Sequence, residues 1–185
     1  MPDKEQVHAF IKHMEAKYKT TIVHGLGEVR DIVNLLIGCD DVLLPHEFAV
    51  TIGDRIFTSF NIYETTPEKA LKTVCHEFTH AIQIARVGPK EFYSNYVLDP
   101  NQRAMYETEA HAAGFETMIL ARVPVTESYL RYKAHQIATV YRMPEQEAII
   151  YQAFKRNLLH EGFSKTVQDW LKFNDPRLTE VLNDN

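Results

Sequence analysis

The chain has 185 residues, enough for one domain with a full hydrophobic core or for one domain with a small helical extension. Hydrophobic residues make up 45% of the sequence and charged residues 24%, as in an ordinary globular protein. The net charge of −5 excludes a broad electrostatic attraction to nucleic acid or to an anionic membrane.

The sequence shows no secretory leader with a basic start and an apolar centre. No apolar run reaches the roughly 18 residues that would span a bilayer. We therefore expect a cytoplasmic protein with neither nucleic acid nor a membrane as a partner. Cys39 and Cys75 are too few for a disulfide framework, and Cys75 is expected to fill the core.

The first predicted elements are a helix, a short strand and a second, weaker helix. Asp3 can cap a helix that runs to about Tyr18. Its apolar residues recur at helical spacing and are Val7, Phe10, Ile11 and Met14. The β-branched run at 20–23 predicts a strand, and residues 29–37 predict a short helix that ends at Gly38.

A β-hairpin is predicted next, with strands at 47–52 and 55–62 around the turn Gly53-Asp54. An edge strand beside a cleft can pair with an extended peptide through its free backbone groups. We expect strand 55–62 to border a cleft beside the helix that follows and to bind a peptide in this way. An ordinary sheet edge is the equal alternative.

A long helix with clear start and stop signals follows the hairpin. Thr66 is a suitable N-cap, Pro67 suits the first helical position, and Gly88 ends the helix. An apolar stripe runs along it, formed by Leu71, Val74, Phe78, Ala81, Ile82 and Ala85.

This helix carries the sequence His76-Glu77-Phe78-Thr79-His80, which has the pattern HExxH. Two histidines one turn apart share a helix face, so both imidazoles can reach one metal ion. Glu77 lies beside that face and can take a proton from a water molecule at the metal. The pattern is short in a chain with nine histidines, but its well-capped helix favours a zinc site.

Residues 88–99 are predicted to be a connecting loop that carries Tyr93 and Tyr96. Either tyrosine could donate a hydrogen bond to the oxyanion of a hydrolytic transition state. Aromatic packing within the loop is the more ordinary interpretation.

A second long helix is predicted over 99–122, starting at Asp99-Pro100. A catalytic zinc site takes three protein ligands, so a carboxylate from this helix is the natural partner of the two histidines. Glu107 and Glu109 are the candidates, and a solvated surface helix is the alternative. The residues that share a face with Glu107 are Ala110, His111, Gly114 and Met118, which favours Glu107.

The rest of the chain predicts helices at 127–141, 144–160 and 164–173. We expect a catalytic domain over 1–124 and a helical extension over 125–185 that packs on it, together forming one compact domain.

The order of strand pair, HEFTH helix, connection and ExxA helix resembles the zincin metallopeptidases of the gluzincin type. It is especially similar to the compact bacterial zinc peptidases of the ImmA/IrrE type. The motif Glu107-Thr108-Glu109-Ala110 matches ExxA, and the resemblance covers about residues 45–122. His111 stands where these families carry Asn or Asp.

This resemblance implies an α+β, zincin-like fold with a small mixed or antiparallel sheet against the HExxH helix. It also implies Zn²⁺ as cofactor, a polypeptide as substrate and Glu107 as third ligand. His111 would support a ligand histidine from outside the coordination sphere. A non-hydrolytic binding module and a metal-dependent amidase for a non-protein substrate are the alternatives, and no oligomeric state is predicted.

Overall fold

The computed structural model describes residues 2–25, 27, 29, 31–33, 48–160 and 163–178, without the side chains of 159 and 160. In these ranges the fold is α+β and mostly helical, as expected, with one mixed sheet of three strands. The strands are β1 (Thr21–His24), β2 (Ala49–Ile52) and β3 (Arg55–Thr58). The helices are α1 (Lys4–Tyr18), α2 (Pro67–Val87), α3 (Pro89–Leu98), α4 (Pro100–Leu120), α5 (Glu127–Val140), α6 (Glu147–His160) and α7 (Lys165–Asn174). None of the helices described is both long enough and apolar enough to cross a bilayer.

Helix α1 begins at the predicted cap. The carboxylate of Asp3 accepts a hydrogen bond from the backbone N–H of Gln6 (2.8 Å), and the Gln6 side chain accepts one in return from Asp3. The predicted stripe is fully buried and consists of Val7, Phe10, Ile11 and Met14. Of the helix predicted over 29–37, residues 31–33 are helical and most of the remainder lies outside the described residues.

The strand order in the sheet is β1-β3-β2. β2 and β3 form the predicted antiparallel hairpin, in which Gly53 has a positive φ of 62° that the tight turn requires. β1 runs parallel to β3 on its other side. The expectation that strand 55–62 is an edge beside the cleft is therefore wrong, because β3 is central and ends at Thr58. The edge strand that faces helix α2 is β2, whose Thr51 contacts Glu77.

Helices α2 and α4 pack against each other along their length in opposite directions. Near one end, Gln83 donates a hydrogen bond to the backbone carbonyl of Tyr106 (3.0 Å). Near the other end, Gly114 lies so close to Lys72 that an added Cβ would come within 3.2 Å of the lysine Cγ. Small residues on α4 thus allow the close approach that brings the two helices' polar side chains together.

The connection at 88–99 is not a loop, which corrects the prediction. Gly88 ends α2, and Pro89 immediately begins α3, since proline suits the first position of a helix. Phe92 and Tyr96, one turn apart, are buried against Tyr106 of α4. Two buried aromatic residues at this four-residue spacing favour a helix in the segment.

The remaining helices cover the α2–α4 pair. α5 and α6 form a core with α4 in which Phe115 and Phe154 are fully buried. α7 returns to the N-terminal side, where Trp170 packs edge-on against Phe10 of α1 with ring centroids 5.1 Å apart. Cys75 is buried and has a free thiol, as a core residue would.

Candidate metal centre

Helices α2 and α4 bring four ionisable side chains of the sequence motifs together. His76 and His80 extend from α2 with ring centroids 4.9 Å apart. Glu107 reaches them from α4, with Oε1 3.6 Å from Nε2 of His80 and Oε2 3.9 Å from Nε2 of His76. The third histidine, His111, lies one turn further along α4, with Nε2 3.7 Å from Oε2 of Glu107.

The Glu107 carboxylate is completely buried. Its Oε1 accepts a hydrogen bond from the hydroxyl of Tyr96, whereas Oε2 has no hydrogen-bond partner among the described residues. A buried acceptor without a partner is costly, and more so when it carries a charge. An oxygen in this state, surrounded by imidazole nitrogens, fits a bound metal cation.

The ligand atoms of His76, Glu107 and His111 all lie within 4.8 Å of one another, so this cluster could hold a metal ion. The rings of His76 and His111 are in contact at 4.4 Å between centroids. His111, which the resemblance predicts to act from outside the coordination sphere, belongs to this cluster, and its Nε2 lies 3.7 Å from Oε2 of Glu107.

His80 is held in a fixed orientation by Gln83. Nδ1 of His80 donates to Oε1 of Gln83 (2.8 Å), which leaves Nε2 free to face Glu107. Such a hydrogen bond at the second ring nitrogen is typical of metal-binding histidines. One signal for this role was available in the sequence, because Gln83 follows His80 by three residues and so lies on the same helix face.

Glu109 points away from the histidines. Its carboxylate pairs with Arg86 (2.9 Å), accepts a hydrogen bond from Gln83 (3.0 Å) and is 39% exposed. Of the two glutamates that the sequence left open, Glu107 is therefore the one that the structure brings to the histidines.

Burial holds the pKa of both His76 and His111 well below the usual value. Neighbouring positive charges lower these pKa values further, including the charges of Lys72 and Lys133. Both rings are therefore neutral at physiological pH, and a neutral imidazole has the lone pair that metal binding requires.

Glu77, the predicted base, lies on the side of the site that faces β2. Thr51 donates a hydrogen bond to Oε2 of Glu77 (2.8 Å), while Oε1 is 3.8 Å from Nε2 of His76. Burial raises the pKa of Glu77 to about 7. A carboxylate of this kind can both take and return a proton near neutral pH.

A small cavity of about 30 Å³ joins Glu77 to the candidate ligands. This volume is enough for a water molecule, which needs roughly 10–15 Å³ on the same measure. Its walls are apolar and aromatic apart from the site itself, and they include Val50, Phe92, Tyr96 and Tyr141. No motif or spacing in the sequence indicates that Tyr141, at the end of α5, lines this cavity.

Of the two tyrosines proposed to stabilise an oxyanion, Tyr96 is bound to Glu107 and Tyr93 lies at the rim. The hydroxyl of Tyr93 accepts a hydrogen bond from the backbone N–H of Gly53 (2.6 Å) in the hairpin turn. Tyr93 thus fixes the hairpin against α3 and lines the cavity.

The sequence and the fold were compared with protein families, with curated proteins and with solved structures, and none of them matches this chain.

Proposed function

We propose that this protein is a zinc-dependent peptidase in which His76, His80 and Glu107 hold the metal and Glu77 acts as general base. The observation that carries the proposal is the buried Glu107 carboxylate among three imidazoles. Its Oε2 lacks a hydrogen-bond partner among the described residues and faces Nε2 of His76 and of His111, and its Oε1 faces Nε2 of His80. We further propose that the fold is zincin-like and similar to that of the ImmA/IrrE-type peptidases.

The donor set favours zinc over other common metals. Imidazole nitrogen together with one carboxylate oxygen is a ligand combination that Zn²⁺ accepts, whereas Mg²⁺ and Ca²⁺ prefer oxygen ligands throughout. The low pKa values of His76 and His111 keep the rings in the neutral form that binds metal.

The chain's own residues can perform the proton transfers of peptide hydrolysis. A bound Zn²⁺ would lower the pKa of water to about 7 and polarise the carbonyl of the bond to be cleaved. Glu77 can accept a proton from a water molecule in the cavity and later give it to the leaving amine. The hydrogen bond from Thr51 keeps the Glu77 carboxylate aimed into the cavity.

The edge strand β2 provides a binding surface for an extended peptide. β2 lines the cavity with Ala49, Val50 and Thr51, and within the described residues it pairs only with β3. A peptide added along its open edge would place its backbone carbonyls beside Glu77.

A second function, a non-hydrolytic metal-containing binding module, is favoured by one observation. His111 lies among the candidate ligand atoms, and a zinc ion held by His76, His80, Glu107 and His111 would have four protein ligands. Four ligands are typical of structural zinc sites, which leave no position for water. Glu77, buried at the cavity with a pKa near neutrality, favours the peptidase.

Digestion of an unbiased peptide library tests the proposal. The zinc-loaded protein is expected to cleave a subset of the peptides, and a chelator should abolish the cleavage. Restoration by added Zn²⁺ would assign the activity to the metal centre. A protein that binds one zinc ion but cleaves no peptide would support the binding module.

A further inference from the structure

The two lysines Lys72 and Lys133 lie at the more open side of the candidate metal centre. His76 and His111, which form that side, have side chains 16% and 20% exposed, whereas Glu107 and Glu77 on the inner side are almost completely buried. A substrate group that approaches from solvent therefore meets the His76–His111 pair first.

Lys72 is placed beside these histidines by the packing of α2 on α4. It precedes His76 by four residues, so it lies one turn away on the same face of α2. Its aliphatic part crosses Gly114, which lies one turn beyond His111 on α4. The Lys72 ammonium donates a hydrogen bond to the hydroxyl of Tyr129 (3.3 Å).

Lys133 comes to the same place from α5. Its ammonium hydrogen bonds to the side-chain carbonyl of Gln136 (2.5 Å), and the side chain is half-buried. The positive charges of Lys133 and Lys72 both act on His76 and on His111, and the charge of Lys72 acts on Lys133. Tyr129, which accepts the hydrogen bond from Lys72, precedes Lys133 by four residues on α5, so both lysines reach the same part of the molecule.

Neither lysine has a carboxylate within 4 Å in the part of the chain that the structure describes. Burial lowers the pKa of both lysines, and no negative charge of a described residue raises either value. With a divalent cation in the centre, Glu77 and Glu107 would balance the metal and leave both ammonium charges uncompensated. Two half-buried ammonium groups without a paired carboxylate attract an anion and can bind it.

We propose that Lys72 and Lys133 form a subsite for a carboxylate group of the substrate, next to the metal centre. This inference rests on the proposed function and names its substrate class, peptides with a carboxylate close to the cleaved bond. Lys72 precedes His76 by four residues, which is about 6 Å along the helix axis, whereas an extended peptide advances about 3.3 Å per residue. The carboxylate therefore belongs one or two residues from the cleaved bond.

The carboxylate can be an acidic side chain or the C-terminus of the peptide, since both present the same group to two ammonium donors. Charge-assisted hydrogen bonds to a carboxylate are stronger than those to a neutral amide. The subsite therefore distinguishes a carboxylate from a carboxamide of the same shape.

Two metal-binding probes test the subsite without relying on catalysis. Glutaric monohydroxamate has a hydroxamate for the metal and a carboxylate at the other end, and its matched analogue has a carboxamide in place of the carboxylate. Calorimetry on the zinc-loaded protein should show the carboxylate probe binding about tenfold or more tightly. Equal affinity for the two probes would overturn the subsite.

Substitutions assign the preference to the lysines. Lys72→Gln and Lys133→Gln should each reduce the ratio of the two affinities toward one while leaving the carboxamide probe bound, which also shows that the variant is folded. Lys72→Arg should retain the preference. Lys90→Gln removes an exposed lysine on α3 and serves as the matched control, with an unchanged ratio. A preference that survives both Gln substitutions contradicts the assignment.

If neither probe binds the zinc-loaded protein, the open coordination position that the proposed peptidase needs is refuted, and the subsite with it. If the carboxamide probe binds as well as the carboxylate probe, only the subsite is refuted. Peptides offered with free and amidated C-termini then identify the source. Loss of cleavage on amidation indicates the chain terminus, and continued cleavage beside Asp or Glu indicates a side chain. Cleavage without either preference contradicts the subsite.

Discussion

The hydroxyl of Tyr96 donates a hydrogen bond to Oε1 of Glu107 and leaves Oε2 of the same carboxylate facing the histidines. Tyr96 is buried on α3, in the segment predicted as a loop. The contact orients the carboxylate and satisfies one of its oxygens, so Glu107 is prepared to offer the other to a cation.

Removal of this hydroxyl should weaken metal binding. For Tyr96→Phe we expect zinc affinity to fall by about 10- to 100-fold, because the Glu107 carboxylate loses the donor that fixes it. Competition with a chelating dye at neutral pH measures the affinity. Tyr93→Phe is the matched control, since that hydroxyl contacts only Gly53 at the rim among the described residues, and it should bind zinc as the wild type does. Equal affinities for the two variants would argue against the role of Tyr96.

The choice between His80 and His111 as a required ligand is a second prediction. His80→Ala should weaken zinc affinity by more than about 100-fold, because His80 has the oriented imidazole. His111→Asn should still bind one zinc ion with the three remaining ligands. His135→Asn on the exposed face of α5 is the control. The zinc content of each variant after dialysis distinguishes the two ligand sets. If His111→Asn loses zinc and His80→Ala retains it, the ligands are His76, Glu107 and His111.

The raised pKa of Glu77 gives a prediction about stability in the metal-free protein. Burial raises the pKa from 4.5 to about 7. The folded protein therefore keeps a proton that the unfolded chain loses, and the corresponding stability is present below pH 4.5 and lost as the pH rises to about 7. Between pH 4 and 8 this loss is about 3 kcal/mol.

Glu77→Gln removes that titration and leaves the histidines in place. Urea unfolding with a chelator present should show that the free energy of unfolding falls with pH by about 3 kcal/mol less in Glu77→Gln than in the wild type. Glu109→Gln, at the partly exposed position beside Arg86, should follow the wild type. Parallel pH dependence of wild type and Glu77→Gln would refute the raised pKa.

Local signals in the sequence were sufficient for the two helices that carry the site. Thr66 and Pro67, and then Asp99 and Pro100, mark the starts of α2 and α4, and both helices begin there in the structure. The helical period also placed Glu107 and Glu109 on different faces of α4, and in the structure Glu107 is the one that faces the histidines. These features depend on residues within one or two turns of each other.

Features that depend on distant contacts were not predictable. The position of β3 between β1 and β2 follows from a parallel pairing across a long connection, for which strand composition gives no register. Tyr141 reaches the cavity because α5 packs on the core, and the charge of Lys133 acts on His111 from the same helix. No spacing in the sequence links these residues to the HExxH motif.

The edge strand β2 gives a prediction about substrate binding. Ile52 and Arg55 form the pair next to the hairpin turn, so the N–H groups of Ala49 and Thr51 point away from β3. Ala49→Pro removes one such N–H without a loss in the ladder. We expect KM for a cleaved peptide to rise by about tenfold, with an unchanged unfolding midpoint. An unchanged KM would exclude peptide pairing at this edge.

The most direct test of the central claim is the comparison of zinc content and peptide cleavage in the wild type and Glu77→Gln. The substitution keeps the size and polarity of the side chain and removes the base. We expect one bound zinc ion in both proteins and a turnover lower by a factor of about 10² to 10⁴ in Glu77→Gln. Equal turnover at equal zinc content would contradict the mechanism.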